Sequence, residues 1–146
     1  MRKYFLLYLT FIICPALFGQ VSSEYCEEKF SEWKEYKNYF ISYESMPVLK
    51  DGIDSLSLYL TYPENAIESG KEGVVTVWFM VNEDGKSECE KVIKSVSEET
   101  DDVAMFAIRK SDFLPATHND EPVSRSLIFH FTFSLKDRTV SPGIIE

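Results

Sequence analysis

Basic side chains are scarce in this 146-residue chain: 15 Lys and Arg stand against 24 Asp and Glu, for a net charge of −9. That shortfall argues against a nucleic-acid binder, which needs a positive surface to displace counterions from phosphates. It argues equally against a polybasic membrane-surface protein. Glycine and proline occur only six times each, which excludes collagen-like and Pro-rich repeats. Histidine occurs twice and cysteine three times. The sequence has no Gly-x-Ser-x-Gly elbow, no His-Glu-x-x-His pair and no Cys-x-x-Cys spacing, the usual marks of hydrolase and zinc chemistry. Ser124, His118 and Asp120 can be drawn as a triad, but any polar loop offers such a set. Asn82-Glu83-Asp84-Gly85 is too short for a calcium loop, which takes twelve residues. The chain is read as a non-enzyme, with no metal and no cofactor.

Long apolar runs are missing too. The longest, Tyr4 to Phe18, falls short of the roughly 20 residues that span a hydrocarbon core. It follows a basic start, Met1-Arg2-Lys3, and ends on Gly19-Gln20, which is the order of a secretory signal. Residues 1–19 are therefore expected to be a cleaved signal peptide of an exported protein. The alternative is an inner-membrane anchor formed by residues 4–18. Bulky Ile13 before Cys14 argues against a lipid attachment site. Loss of Arg2 and Lys3 with the leader leaves 13 basic and 24 acidic groups, a net charge of −11. It also leaves two cysteines, Cys26 and Cys89. An even pair in an exported chain suggests a disulfide; the other reading is two free thiols.

What remains is rich in apolar and aromatic residues, 45% and 14%, too rich for a disordered chain. Its length suits one domain. Cys26, Phe30, Trp33, Lys37 and Phe40 recur at helical spacing, which predicts an amphipathic helix from about Glu24 to Tyr39. Residues 42–52, with Pro47 and Asp51-Gly52, read as a loop, so 20–52 form an N-terminal helix and loop. A short helix from Ile53 stops before Tyr62-Pro63, and Pro63 starts another that ends at Ser69-Gly70. Glu72 to Asn82 alternates with Val75, Val77, Phe79 and Val81 on one face, a strand. Asp84-Gly85 turns it into a partner strand, Ser87 to Ser95. The acids of 97–102 read as the dipole-stabilising start of a helix rather than a cation site. That helix carries a narrow face of Ala104, Ala107, Ile108 and Ser111. His118 to Pro122 reads as a polar loop. Leu127, Phe129, Phe131, Phe133 and Leu135 then alternate strictly in an uncharged final strand, with His130 its one titratable side chain. Residues 137–146 read as a flexible tail. The expected class is α+β: a small antiparallel sheet of about three strands with helices packed on one face.

This order resembles the C-terminal domain of TonB, the energy-transducing periplasmic protein of Gram-negative bacteria. Tyr62-Pro63 with Ala66 matches its Tyr-Pro-x-x-Ala opening, Gly73 its Gly-led first strand, and Asp84-Gly85-Lys86 its hairpin. Val92-Ile93-Lys94-Ser95 is similar to its strand end. Asp101, Ala104, Ala107, Arg109, Phe113, Pro115 and Ala116 fall at the spacing of its helix and helix exit. The likeness spans about residues 59–136 and sets the domain at 53–136. Thr100 replaces the family's usual Leu, Leu60-Thr61 stands where some members carry Gln-Pro, and no Pro-rich spacer occurs. The resemblance is thus to a stand-alone, exported, periplasmic version. It implies binding of an outer-membrane receptor peptide, or another envelope protein, by addition of a strand to a sheet edge. The implied receiving strand is Arg125, Ser126, Leu127, Ile128, Phe129, His130, Phe131, Thr132, Phe133, Ser134 and Leu135. The strand is either an open edge or one covered by the chain's own tail or by a second copy, and a second copy would make the protein a self-associating structural or accessory envelope component with no transport role. Membrane contact is then indirect, and nucleic acid is not a partner.

Overall fold

A computed structural model describes residues 22–36 and 45–145. The expected leader at 1–19, the alternative anchor at 4–18, and Lys37 and Phe40 of the helical stripe lie outside the described residues. The element order is α1 (Ser23–Tyr36), β1 (Val48–Leu49), a 3₁₀ helix (Ile53–Leu58), α2 (Glu64–Glu68), β2 (Gly73–Val81), β3 (Ser87–Lys94), α3 (Glu98–Lys110), β4 (Phe113–Leu114), β5 (Ala116–His118), β6 (Glu121–Val123), β7 (Arg125–Ser134) and β8 (Thr139–Ile145). The main sheet has four antiparallel strands in the order β3-β2-β7-β8.

The alternation of β2 and β7 decides the layers, because successive side chains in a strand point to opposite faces. Val75, Val77, Phe79 and Val81 face one way, with Phe129, Phe131 and Phe133 beside them. Ala104, Ala107 and Ile108 of α3 close this main core with Leu56, Tyr62 and Ala66. Their small or compact side chains let α3 lie close to the sheet. The capping pattern at its start is reciprocal: Ser97 Oγ accepts from the Thr100 N–H, and Thr100 Oγ1 accepts from the Ser97 N–H at 3.0 Å. Glu98, Glu99 and Asp101 fill the first turn, so the acidic run is the dipole-stabilising start of a helix.

Four sequence expectations are corrected. First, helices cover both faces. Trp78, Met80 and Ile128 point away from α3 and form a second cluster with Phe30 and Trp33 of α1. The Phe30 ring meets Trp78 edge-on at 5.1 Å and stacks on Trp33 at 5.5 Å. A disulfide joins Cys26 of α1 to Cys89 of β3, and Lys91 pairs with Glu27 at 2.6 Å. Trp78 is fully buried as a result. Second, the main sheet has four strands rather than three, because the supposed flexible tail supplies β8. Third, the loop at 42–52 contains β1, which pairs with β4. Fourth, the polar loop at 118–122 is the turn of a β5–β6 hairpin. Asn119 and Asp120 sit there at φ 52° and 63°, a conformation these two residue types tolerate better than most.

The β2–β3 turn is fastened to the rest of the fold. Asn82 Oδ1 accepts from the N–H groups of Asp84 and Lys86 at 3.1 and 3.0 Å. Gly85 has φ +75°, and its carbonyl accepts from the Phe113 N–H at 2.9 Å. Lys86 also pairs with Asp112.

Two outcomes follow from these attachments. A Cβ at Gly85 would lie 2.1 Å from the Phe113 carbonyl oxygen, so Gly85→Ala should cost more than about 2 kcal/mol in urea unfolding, through left-handed strain plus backbone overlap. Replacing Cys26 and Cys89 together by Ala should lower stability by about 4 kcal/mol, the loop entropy of a 63-residue separation; an unchanged urea midpoint would refute the link between α1 and the domain's stability.

Candidate strand-addition site

The strand expected to receive a partner lies inside the sheet. β7 pairs with β2 continuously from Gly73↔Phe133 to Val81↔Arg125. On its other side it pairs with β8 from Ile128↔Ile145 to Ser134↔Thr139. Of the two readings of Arg125 to Leu135, an open edge or one covered by the tail or a second copy, the structure has the tail as cover: β8 takes the place a partner strand would use, and self-association through β7 meets the same obstacle. The physical reason is that an uncharged strand of this length leaves a row of N–H and C=O groups that invites pairing, and the nearest chain is the protein's own C-terminal segment.

Among the described residues the sheet's outer strands are β3 and β8. They differ in chemistry. β3 carries Glu88, Glu90, Lys91 and Lys94, its register with β2 shifts at two places, and Cys89 has φ 59°. Bulges and charges are the usual means of blunting an edge. The disulfide to α1 adds a strap beside it. β8 has no charged residue between Thr139 and Ile145. Pro142 stands opposite Phe131, whose backbone groups are directed at β2, so its missing N–H lies on the outer side of the sheet. Ile144 is exposed and Val140 is partly buried against the main core.

The remaining motif residues build and brace this sheet. Tyr62 is buried, with its ring edge-on to Phe133 at 5.2 Å. Its hydroxyl donates to the Lys71 carbonyl at 2.5 Å, tying the chain before α2 to the chain after it. Burial pushes the phenol above its ordinary value, and Glu72 adds to the push. Pro63 caps α2 at φ −63°. Gly73 opens β2 at φ 143° beside Val96. Asp84 and Gly85 form the hairpin turn described above. Phe113 packs on Phe79 and Phe129 at 5.5 and 6.2 Å; Pro115 lies against Gly85 and Ala116 is fully buried. At the start of β7, burial pushes the Arg125 guanidinium down from its ordinary value. Ser124, drawn into a triad from the sequence, donates to Glu83 Oε1 at 2.8 Å. Glu83's own backbone N–H and this hydroxyl hold its carboxyl below the usual range.

A family model described as the C-terminal part of Gram-negative bacterial TonB protein matches residues 59–135, the stretch from the end of the 3₁₀ helix to the end of β7. The chain belongs to the TonB C-terminal family. A comparison with curated proteins finds no match. TonB C-terminal domains are protein-interaction modules of the Gram-negative envelope that act with outer-membrane receptors in transport. The family match stops short of β8, so the strand that covers β7 is outside the matched region. The sequence offers the tail as one possible cover of β7 but marks no strand in it. Pro142-Gly143 reads as a breaker, yet Thr139, Val140, Ile144 and Ile145 are strand formers, and an edge strand accommodates proline. Among the described residues, no helix is long and apolar enough to cross a membrane.

Tyr62→Phe tests the bracing role. It should cost about 1 kcal/mol at neutral pH, the net worth of one hydrogen bond. The folded phenol lies above its unfolded value of 10.0, so it contributes stability that is full below that value and fades as pH rises through the folded value. The gap between wild type and variant in thermal melting should therefore narrow above pH 10.

Proposed function

We propose that this TonB-like domain is exported to the periplasm, freed of residues 1–19, and there receives an extended peptide of an outer-membrane receptor by strand addition on the β7 side of the sheet, with β8 yielding its place. The observation that supports this reading best is the contrast between the two strands. β7 is long, uncharged after Arg125 and held on its other side by the full length of β2. β8 is shorter, half-exposed, and interrupted by Pro142 and Gly143. Backbone hydrogen bonds from β7 would supply affinity, and side chains at alternate positions would choose the partner. The Cys26–Cys89 disulfide accords with an oxidising compartment. β8, rather than β3, marks the accessible side, because β3 is bulged, charged and strapped by α1.

Locking β8 in place tests this. Thr132 and Ser141 face each other across β7 and β8, and both are exposed. Directly opposed positions have the Cα spacing a disulfide needs. In Thr132→Cys/Ser141→Cys protein with both disulfides formed, binding of a receptor's N-terminal peptide, measured by titration calorimetry, should fall at least about tenfold relative to wild type. Unchanged affinity in the locked protein would sink the reading.

A further inference from the structure

β8 shows what β7 demands of a strand that pairs with it. Its residues fall into two rows. Val140, Pro142 and Ile144 stand opposite Phe133, Phe131 and Phe129 on the main-core face. Ser141 and Gly143 stand opposite Thr132 and His130 on the face shared with α1. The Gly143 position is the restrictive one. Its φ lies outside the left-handed region, so the backbone there would accept any residue. The obstacle is a side chain: a Cβ at 143 would lie 3.2 Å from His130 Cδ2. The half-buried imidazole lies over the place where a directly opposed side chain would begin. On the other side of His130 stands buried Thr76 of β2, and one cross-strand pair further along are Trp78 and Ile128, which pack under α1. The ring lies over the space left by the glycine.

We infer that His130 is a specificity-determining residue, which restricts the strand accepted by β7 to one with a glycine opposite it, between two apolar residues that face the core. This rests on the strand-replacement reading above and adds the chemistry of the partner: an uncharged extended segment of the pattern apolar–Gly–apolar, paired antiparallel in the register of β8. The cost of a larger residue there is overpacking. A single Cβ asks the ring to shift by a few tenths of an ångström, and a β-branched side chain asks it to leave.

The test has two arms, both on the full chain. In the first, Gly143→Val should speed amide hydrogen exchange across β7 and β8 by about tenfold, and adding His130→Ala to the same chain should restore most of the protection; the near-UV circular dichroism of buried Trp78 checks that the domain stays folded. Unchanged exchange in Gly143→Val overturns the inference. So does an increase that His130→Ala leaves in place. In the second arm, a synthetic peptide of residues 137–146 and the same peptide with Gly143→Val are titrated against wild type and His130→Ala. The glycine peptide should bind wild type about tenfold more tightly, and the two should bind His130→Ala alike. Equal affinity for wild type overturns selection by His130 while strand replacement stands. Binding of neither peptide overturns strand replacement, and the exchange arm then decides the role of His130 alone.

Discussion

The pairing of β2 with β7 is the constraint on which the rest of the structure depends. It is antiparallel and unbroken from Gly73↔Phe133 to Val81↔Arg125. It sets Val75 and Val77 opposite Phe131 and Phe129, Phe79 opposite Leu127 and Val81 opposite Arg125. A shift of one residue would turn every one of these side chains to the other face. The aromatic contacts follow from the register: Phe79 meets Phe129 edge-on at 5.2 Å, and Phe129 meets Phe131 at 6.4 Å. The small face of α3 and the Tyr62 brace fit onto this row. Gly85 and Phe113, joined backbone to backbone, hold the hairpin and the helix exit at one end of it.

A central pair of strands, β2 buried on both faces and β7 on one, needs two covers and leaves two outer edges to manage. α3 and the short helices form one cover from within the family-matched region. α1 forms the other from outside it, and a short amphipathic helix has little stability by itself. The aromatic cluster of Phe30, Trp33 and Trp78 and the covalent bond to Cys89 hold it on the sheet. The same attachment straps β3, the bulged and charged edge. β8 manages the other edge by occupying it. The two solutions differ in permanence: one is a covalent bond, and the other is a strand held by backbone pairing, with a glycine gap. That asymmetry is what points the binding reading toward β7 and away from β3.

Much of the domain was legible in the sequence because its signals are local. Period-two alternation marks β2 and β7, Asp84-Gly85 marks the hairpin, and Ser97 with the acids after it marks the start of α3. The Cys26–Cys89 pair followed from parity and an export leader, although sequence left free thiols as an alternative. The motif residues Tyr62, Gly73, Gly85, Phe113 and Ala116 were found by resemblance, and their roles are bracing and turning. The candidate site was less legible. The chemistry of β7 could be read from Leu127 to Leu135, but whether that strand is an edge depends on a segment five residues further on.

The sequence by itself determined which residues alternate, which turn and which start a helix, since these depend on near neighbours and on backbone chemistry. It also determined the acidic balance and the family. Tertiary structure alone decided three further matters. Trp78 could belong to a solvent-facing or a covered face until α1 was placed on it. Thr139 to Ile145, weak as a strand alone because of Pro142 and Gly143, pairs because β7 presents a matching row of backbone donors and acceptors. The meaning of Gly143, finally, appears only when His130 is set across from it: a glycine in a tail is a flexible residue, whereas a glycine beneath an imidazole is a place where a side chain would crowd the ring.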